Sequence, residues 1–143
     1  MELNIIRSVE EFRRLESQWN ELLSVLDPAP LPLTHGWLRA WLGAFLQSHA
    51  VEFRWVCSNG VCVGIAPFIR ESQLYRGTHV SVLTLAANGH SPFSDIIVDP
   101  RLTADERHRV YSLLTAMTDK ELGVFFKIDR HGELFRFLAS PSM

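Results

Sequence analysis

The sequence predicts an α+β fold in which a central, mostly antiparallel sheet is flanked by helices. Three observations predict it. Apolar residues at helical spacing fill the first third of the chain, strand-like alternation surrounds Asn59-Gly60, and helix and strand patterns alternate near the C-terminus. The chain has 143 residues, of which 47% are hydrophobic and 21% charged. These values favour a single globular domain, residues 1–143, over a disordered chain, a collagen or a coiled coil.

The N-terminal part predicts a strand and two helices. Residues 3–6 are expected to form the strand, and Ser8 with Glu11 forms a capping box that begins the first helix. Its apolar face consists of Phe12, Leu15, Trp19, Leu22, Leu23 and Leu26. Thr34 begins the second helix, whose apolar face is so wide that most of the helix is expected to be buried.

The middle of the chain predicts four strands. Residues 51–57 alternate between apolar and polar, and Asn59-Gly60 predicts a two-residue hairpin turn. The apolar run 61–66 reads as a central strand that Pro67 ends or bulges. After a polar stretch, residues 80–85 and 93–98 are expected to form two more strands.

The C-terminal part predicts a helix, a strand and a short final helix. Thr103 and Glu106 form a second capping box at the start of the first of these helices. Residues 124–128 are expected to form the last strand, and residues 132–138 the final helix.

Charge and composition exclude several classes of function. The 14 basic and 16 acidic residues are interspersed, so the chain lacks the positive patch typical of nucleic-acid or anionic-membrane binding. No segment resembles a signal peptide or a membrane span, and two cysteines are too few for a secreted disulfide scaffold. We therefore expect a cytoplasmic protein. The six histidines and two cysteines show no metal-ligand spacing, which predicts no metal site.

The cysteines are expected to face each other across the predicted hairpin. A two-residue turn at Asn59-Gly60 places Cys57 directly opposite Cys62. Opposed residues are slightly too far apart for a relaxed disulfide, and a cytoplasm is reducing. We therefore expect two thiols.

Polar residues crowd the segment between the last two strands of the middle region. Asn88, His90, Ser91, Ser94 and Asp95 lie there within eight positions. In one interpretation they face a substrate cleft, with His90 as a general base that Asp95 orients. In the other, which the residue types favour, side-chain to backbone hydrogen bonds hold a loop whose turn Pro92 sets. A Ser-His-Asp triad is disfavoured because residues so close in sequence rarely meet in that geometry.

Two tryptophans one turn apart have two interpretations as well. Trp37 and Trp41 share a face of the second helix and could form an aromatic wall for a sugar or an acyl chain. Core packing is favoured because Leu38, Leu42 and Phe45 continue the apolar face.

Three segments carry a resemblance to a known family: residues 32–41 (PLTHGWLRAW), 63–68 (VGIAPF) and 88–98 (NGHSPFSDIIV). Over residues 3–138 the chain resembles the N-terminal lobe of the two-lobed CelD-like or FemAB-like acyltransferases of the GNAT superfamily. The predicted order of elements is similar to the GNAT core, which runs strand, two helices, three strands, helix, strand and helix.

The resemblance implies an N-acyltransferase that moves an acyl group from acyl-coenzyme A or an aminoacyl donor to an amine, often in cell-envelope or polysaccharide synthesis. Such proteins have two GNAT-like lobes, and 143 residues suffice for one. The chain would then supply acceptor-cleft surface, including Trp37, Trp41, Asn88, His90 and Ser91, while the second lobe holds the acyl donor. The alternative is a non-catalytic GNAT-like module that binds a ligand or a protein.

The segment that would correspond to the GNAT phosphate-binding loop does not fit that role. The GNAT loop has the form Arg/Gln-x-x-Gly-x-Gly/Ala and opens a helix, but residues 99–106 contain no glycine. Asp99, Asp105 and Glu106 would repel a pyrophosphate, and Arg101 is the single cation that could attract one. We therefore expect this lobe to bind no acyl-coenzyme A by itself.

The end of the chain predicts a contact with a second lobe or a second copy. Leu134, Phe135, Phe137 and Leu138 cannot all lie on one narrow helix stripe. We therefore expect an apolar patch, covered by self-association around residues 134–138 or the strand 124–128.

Overall fold

The computed structural model describes residues 1–46, 49–88 and 91–140. The strands are β1 (Glu2–Ile6), β2 (Ala50–Ser58), β3 (Val61–Tyr75), β4 (Thr78–Leu85), β5 (Ile97–Val98) and β6 (Glu121–Val124). The helices are α1 (Val9–Arg14), α2 (Glu16–Leu23), α3 (His35–Phe45), α4 (Ala104–Thr115) and α5 (Glu133–Ala139), with a 3-10 turn at Leu31–Leu33. The predicted α+β class is confirmed.

The strands form one mixed sheet with the order β1-β2-β3-β4-β6. Neighbours from β1 to β4 are antiparallel, as expected from the hairpin at Asn59-Gly60, whereas β6 runs parallel to β4. β5 lies off this path and pairs with β3. The parallel β4–β6 pair requires a crossover, and α4 lies within that connection.

β4 and β5 pair with different parts of the same long strand. β4 pairs with residues 68–75 of β3, and β5 pairs with Gly64 and Ile65. The expectation that Pro67 ends or bulges β3 is wrong, because β3 continues through it to Tyr75. The Pro67 carbonyl accepts a hydrogen bond from the Ala86 N–H, so the missing proline N–H faces the gap between β4 and β5.

Four further boundaries differ from the sequence prediction. The first helix is interrupted at Leu15, and the polar stretch 71–78 is a hairpin whose turn residues Arg76 and Gly77 have φ of 50° and 78°. The strand expected at 93–98 shrinks to β5, because segment 91–95 is held by loop hydrogen bonds instead. The last strand lies at Glu121–Val124 rather than at 124–128, because β4 pairs with that segment.

Helices cover both faces of the sheet. One core cluster joins α1–α3 to residues such as Phe53 and Ile65, and the other joins α4 and α5 to Val56 and Ala66. Because neighbouring strand residues point to opposite faces, the two clusters lie on opposite sides of the sheet. No helix of the described residues is long and apolar enough to cross a membrane.

A buried ion-pair network fixes the end of α4 on the sheet. Glu52 contacts Arg54 at 3.2 Å and Arg70 at 2.6 Å, and Arg70 also contacts Glu121 at 2.5 Å. Arg54 donates hydrogen bonds to the carbonyls of Leu114 and Ala116, at 3.1 and 2.5 Å. These bonds satisfy carbonyl groups that the end of a helix leaves free.

Candidate functional site

A cleft of about 530 Å³ opens beside the outer edge of β5. It exists because β6 pairs with β4, so within the described chain no strand covers β5 on that side. The cleft is lined by Leu26, Asp27, Pro28, Pro30, Leu33, Asp95, Ile96, Ile97, Val98, Pro100, Arg107, Tyr111, Glu133 and Arg136. This lining draws on both helical layers and on the sheet between them.

Three structural units build the walls. Residues 26–33, which follow α2, form one wall, and its Asp27–Pro28 peptide bond is cis. Residues 95–98 form a second wall. Asp99 N–H donates to the Val63 carbonyl at 2.9 Å, so the N–H and carbonyl of the preceding Val98 point away from β3, toward the open edge. α4 and α5 supply the remaining wall.

The wall formed by α4 and α5 depends on where α4 begins, and a capping box fixes that start. The Thr103 hydroxyl accepts the Glu106 N–H and the Glu106 carboxylate accepts the Thr103 N–H, so the predicted capping box that begins α4 is confirmed. α4 presents Arg107 and Tyr111 four positions apart, on one helix face. α5 presents Glu133 and Arg136 in the same way, three positions apart.

Five charged side chains line the cleft. They are Asp27, Asp95, Glu133, Arg107 and Arg136. Two of them neutralise each other, because the Arg107 Nε donates to Glu133 Oε1 at 2.8 Å. A second Arg107 nitrogen donates to the Leu102 carbonyl at 2.5 Å, which fixes this guanidinium.

Asp95 is a half-buried carboxyl group whose environment changes its pKa. Burial raises its pKa from 3.8 to about 6, against the lowering effect of the Ile96 N–H, which donates to Asp95 Oδ1 at 2.7 Å. The nearby charges of Asp129 and Glu133 contribute to this increase in pKa. A carboxyl group that titrates near neutral pH can accept and release a proton under ordinary conditions.

Tyr111, in contrast, is held in its protonated form. Its side chain is buried, and burial raises its pKa well above the usual value, with the Glu133 and Asp95 charges adding to the effect. The phenol therefore stays protonated and remains a hydrogen-bond donor. Asp95 and Tyr111 together give the cleft one group that accepts a proton and one that retains it.

The residues of the predicted polar cluster, 88–95, do not all line the cleft. Asp95 lines the cleft, whereas His90 lies outside the described residues. Ser91 Oγ accepts the Asn88 N–H at 3.2 Å, and Ser94 Oγ donates to the Phe126 carbonyl at 2.7 Å. These are loop-holding hydrogen bonds of the kind that the second interpretation expects, and Asn88 and Ser91 do not line the cleft.

The two tryptophans lie at a different place. Trp37, Ala40, Trp41, Ala44 and Phe45 line an open groove of about 250 Å³ on α3. Trp41 is buried and Trp37 half-buried against the core, so both also serve as packing residues. The structure therefore does not bring them together with Asp95.

Arg101 is engaged by its own neighbour. Its guanidinium contacts both carboxylate oxygens of Asp99, at 3.0 and 2.8 Å, and this bond lowers the pKa of Asp99. The single cation of segment 99–106 is thus already paired. At the start of α4, the Thr103 hydroxyl and the Glu106 carboxylate accept the N–H groups of Glu106 and Thr103.

The predicted opposition of the cysteines is confirmed. Cys57 pairs with Cys62 in the strand register, next to an irregularity at Val56, and both are free thiols in the structure. Burial raises the pKa of both thiols, that of Cys62 to about 12. Neither is activated as a nucleophile.

Of the residues that line the cleft, sequence reasoning named Asp95 and missed the others, including Asp27 and four helix residues: Arg107, Tyr111, Glu133 and Arg136. Their spacings of four and three residues show that each pair shares a helix face. The sequence holds no signal that these two faces meet beside Asp95. Among the described residues, no group of three or more His, Cys, Asp or Glu side chains is arranged to hold a metal ion.

Comparison of the chain with protein-family models, with curated protein sequences and with solved structures finds no match in any of the three.

Proposed function

We propose that the chain is the acceptor-binding lobe of a GNAT-like N-acyltransferase and that the cleft beside β5 binds the amine that receives the acyl group. One observation carries this proposal: Asp95, a carboxyl group with a pKa of about 6, lines a cleft whose acidic side chains outnumber the basic ones. An amine enters as an ammonium ion at pH 7, and such a surface attracts it.

The proposed chemistry uses Asp95 as the proton acceptor. The ammonium ion of the acceptor loses a proton to the ionised Asp95 carboxylate, and the neutral nitrogen attacks the thioester carbonyl carbon of acyl-coenzyme A. The new C–N bond forms, the nitrogen loses its second proton and the C–S bond breaks. The departing sulfur takes that proton, so coenzyme A leaves as the free thiol. The acyl donor is brought by a second lobe.

Two features of the fold support this assignment. If α1 and α2 are counted as one helix interrupted at Leu15, and β4 and β5 as one interrupted strand, the order of elements follows the order that the resemblance implies. The segment 99–106 has its cation paired and its helix start capped, which is unfavourable for a pyrophosphate.

Binding of a simple amine tests the acceptor site. We expect pentylamine to bind saturably in the millimolar range by calorimetry, and Asp95→Asn to weaken this binding at least about tenfold. Asp119→Asn is the matched control, because Asp119 is exposed and lies outside the cleft. Equal binding by the wild-type protein and Asp95→Asn, or no binding at all, would contradict the proposal.

Titration with acetyl-coenzyme A tests the missing donor site. We expect no saturable one-to-one binding at millimolar concentration, because the acidic, capped start of α4 repels the phosphates. Saturable binding would instead place the donor in this lobe.

The second candidate is a non-catalytic module that binds a ligand or a protein. The groove formed by Trp37, Trp41 and Phe45 favours it, because aromatic grooves are common binding surfaces. The coding sequence beyond Met143 separates the two candidates, since the acyltransferase requires a second lobe there or in a partner chain.

A further inference from the structure

Some charged side chains that line the cleft beside β5 have no ion-pair partner among the described residues. Arg107 and Glu133 form an ion pair, which leaves Asp27, Asp95 and Arg136 among the charged lining residues. Among the described residues, Asp27 and Arg136 form no side-chain hydrogen bond or ion pair. The cleft therefore offers two acidic groups and one guanidinium to whatever enters it.

A guanidinium beside an amine-binding carboxylate is costly for a ligand that carries only positive charge. Arg136 would repel a plain amine that Asp95 attracts. A ligand that carries one cationic and one anionic group would contact Asp95 and Arg136 at the same time. Arg136 is suited to the anionic end, since a guanidinium binds a carboxylate through two parallel hydrogen bonds.

We infer that the acceptor is an amino acid in the broad sense, with its amine at Asp95 and its carboxylate at Arg136. This inference rests on the proposed function, because it names the substrate class of the same cleft. Asp27, on the facing wall, adds to the attraction for the amine. Arg136 on α5 then selects the acceptor by its carboxylate, while Asp95, just before β5, positions the nitrogen that reacts.

The size of the cleft limits the acceptor. Asp95 and Arg136 line the same cleft of about 530 Å³, a volume that corresponds to a sphere roughly 10 Å across. An ω-amino acid of four to six carbons is short enough to fit within such a space. Chain length is therefore a variable that the test can scan.

Three matched probes test the inference: 5-aminopentanoate, pentylamine and pentanoate. They share a five-carbon chain and differ only in which charged ends they carry. We expect 5-aminopentanoate to bind at least about fivefold more tightly than pentylamine, from the added charge-assisted hydrogen bonds, and pentanoate to bind least.

Variants locate the two ends. Arg136→Gln should abolish the advantage of 5-aminopentanoate over pentylamine, and Arg136→Lys should restore part of it. Arg130→Gln removes the same charge from an exposed residue outside the cleft and should change neither affinity. Unfolding curves confirm that each variant is folded.

The outcomes separate this inference from the proposed function. If pentylamine binds through Asp95 but 5-aminopentanoate binds no more tightly, the inference is wrong and the acceptor site stands. If Arg136→Gln leaves the advantage intact, the inference is also wrong, because the carboxylate lies elsewhere. If none of the probes binds, the acceptor site itself is refuted.

Discussion

At the scale of single residues, burial of the Asp95 carboxylate should lower the stability of the protein at neutral pH. Its pKa rises from 3.8 to about 6 on folding, so the folded state binds its proton more tightly than the unfolded state. The contribution of Asp95 to the free energy of unfolding therefore falls as the pH rises from about 4 to about 6, and it stays low above pH 6.

We expect Asp95→Asn to stabilise the protein at pH 7 by up to about 3 kcal/mol, at about 1.4 kcal/mol per pKa unit, and to change little at pH 4. The asparagine oxygen can still accept the Ile96 N–H, so the loop is preserved. Thermal unfolding at both pH values measures the effect, with Asp119→Asn as the control. A destabilised variant at pH 7 would contradict the raised pKa.

Glu121 should show the opposite pH dependence. Burial alone would raise its pKa, but the Thr118 N–H and the Arg70 guanidinium lower it from 4.5 to about 2. Its stabilising contribution is therefore complete above pH 4.5 and is lost as the pH falls toward 2. We expect Glu121→Gln to be less stable at pH 7 and to flatten the acid limb of the unfolding profile between these values.

Replacing Arg54 and Arg7 in turn compares the buried part of the ion-pair network with its exposed end. Arg54→Met leaves the carbonyls of Leu114 and Ala116 without their donor and deprives Glu52 of one cation. We expect a loss of about 3 kcal/mol in the free energy of unfolding. Arg7, which also contacts Glu52, is 66% exposed, so Arg7→Met should cost less than about 1 kcal/mol. Denaturant unfolding compares the two, and equal losses would contradict this assignment.

At the scale of elements, α4 packs on the sheet where β3 has no side chain. A Cβ atom at Gly64 would overlap the Val110 side chain and lie 3.2 Å from a Leu114 methyl carbon. Gly64 is thus required by the close approach of α4, the helix that carries Arg107 and Tyr111 into the cleft.

We expect Gly64→Ala to cost about 1–3 kcal/mol by overpacking and to weaken amine binding, because α4 must move outward. Gly43→Ala is the control: a Cβ there meets nothing within 4 Å, and alanine favours a helix by about 0.5–1 kcal/mol. Denaturant unfolding and pentylamine titration provide the two measurements. Unchanged stability of Gly64→Ala would show that α4 does not rest directly on the strand.

The elements also show what the sequence could predict. The starts of α1, α3 and α4 follow the caps at Ser8, Thr34 and Thr103, because a cap depends on three or four neighbouring residues. The shift of β6 and the course of β3 through Pro67 depend on pairing with distant strands. The cleft is less predictable still. Asp95 could be named from its neighbours in sequence, but its place in one cleft with Tyr111 and Arg136 arises only when two helices meet.

At the scale of the whole molecule, several large apolar side chains are exposed, among them two pairs on the C-terminal elements β6 and α5. On β6, Leu122 is 54% and Val124 38% exposed, and on α5, Phe135 is 39% and Leu138 37% exposed. The other two apolar residues of α5 are covered by the protein itself. Leu134 is buried, and Phe137 stacks on Tyr111 with ring centroids 5.3 Å apart. β6 is also the last strand of the sheet, with an outer edge that no strand of the described chain covers.

We expect the isolated chain to self-associate through one of these two surfaces, in the place that a second lobe would take. In a symmetric dimer each copy would bury the two exposed side chains of one surface. These four side chains would contribute about 2–5 kcal/mol, from about 1.5–3 kcal/mol for each fully buried side chain. Light scattering over a range of concentrations measures the mass. Leu122→Lys should convert a dimer formed through β6 to a monomer, and Leu138→Lys one formed through α5. A monomer of 16.3 kDa at high concentration that binds no hydrophobic dye would contradict the expectation, since both surfaces would then be stable in water.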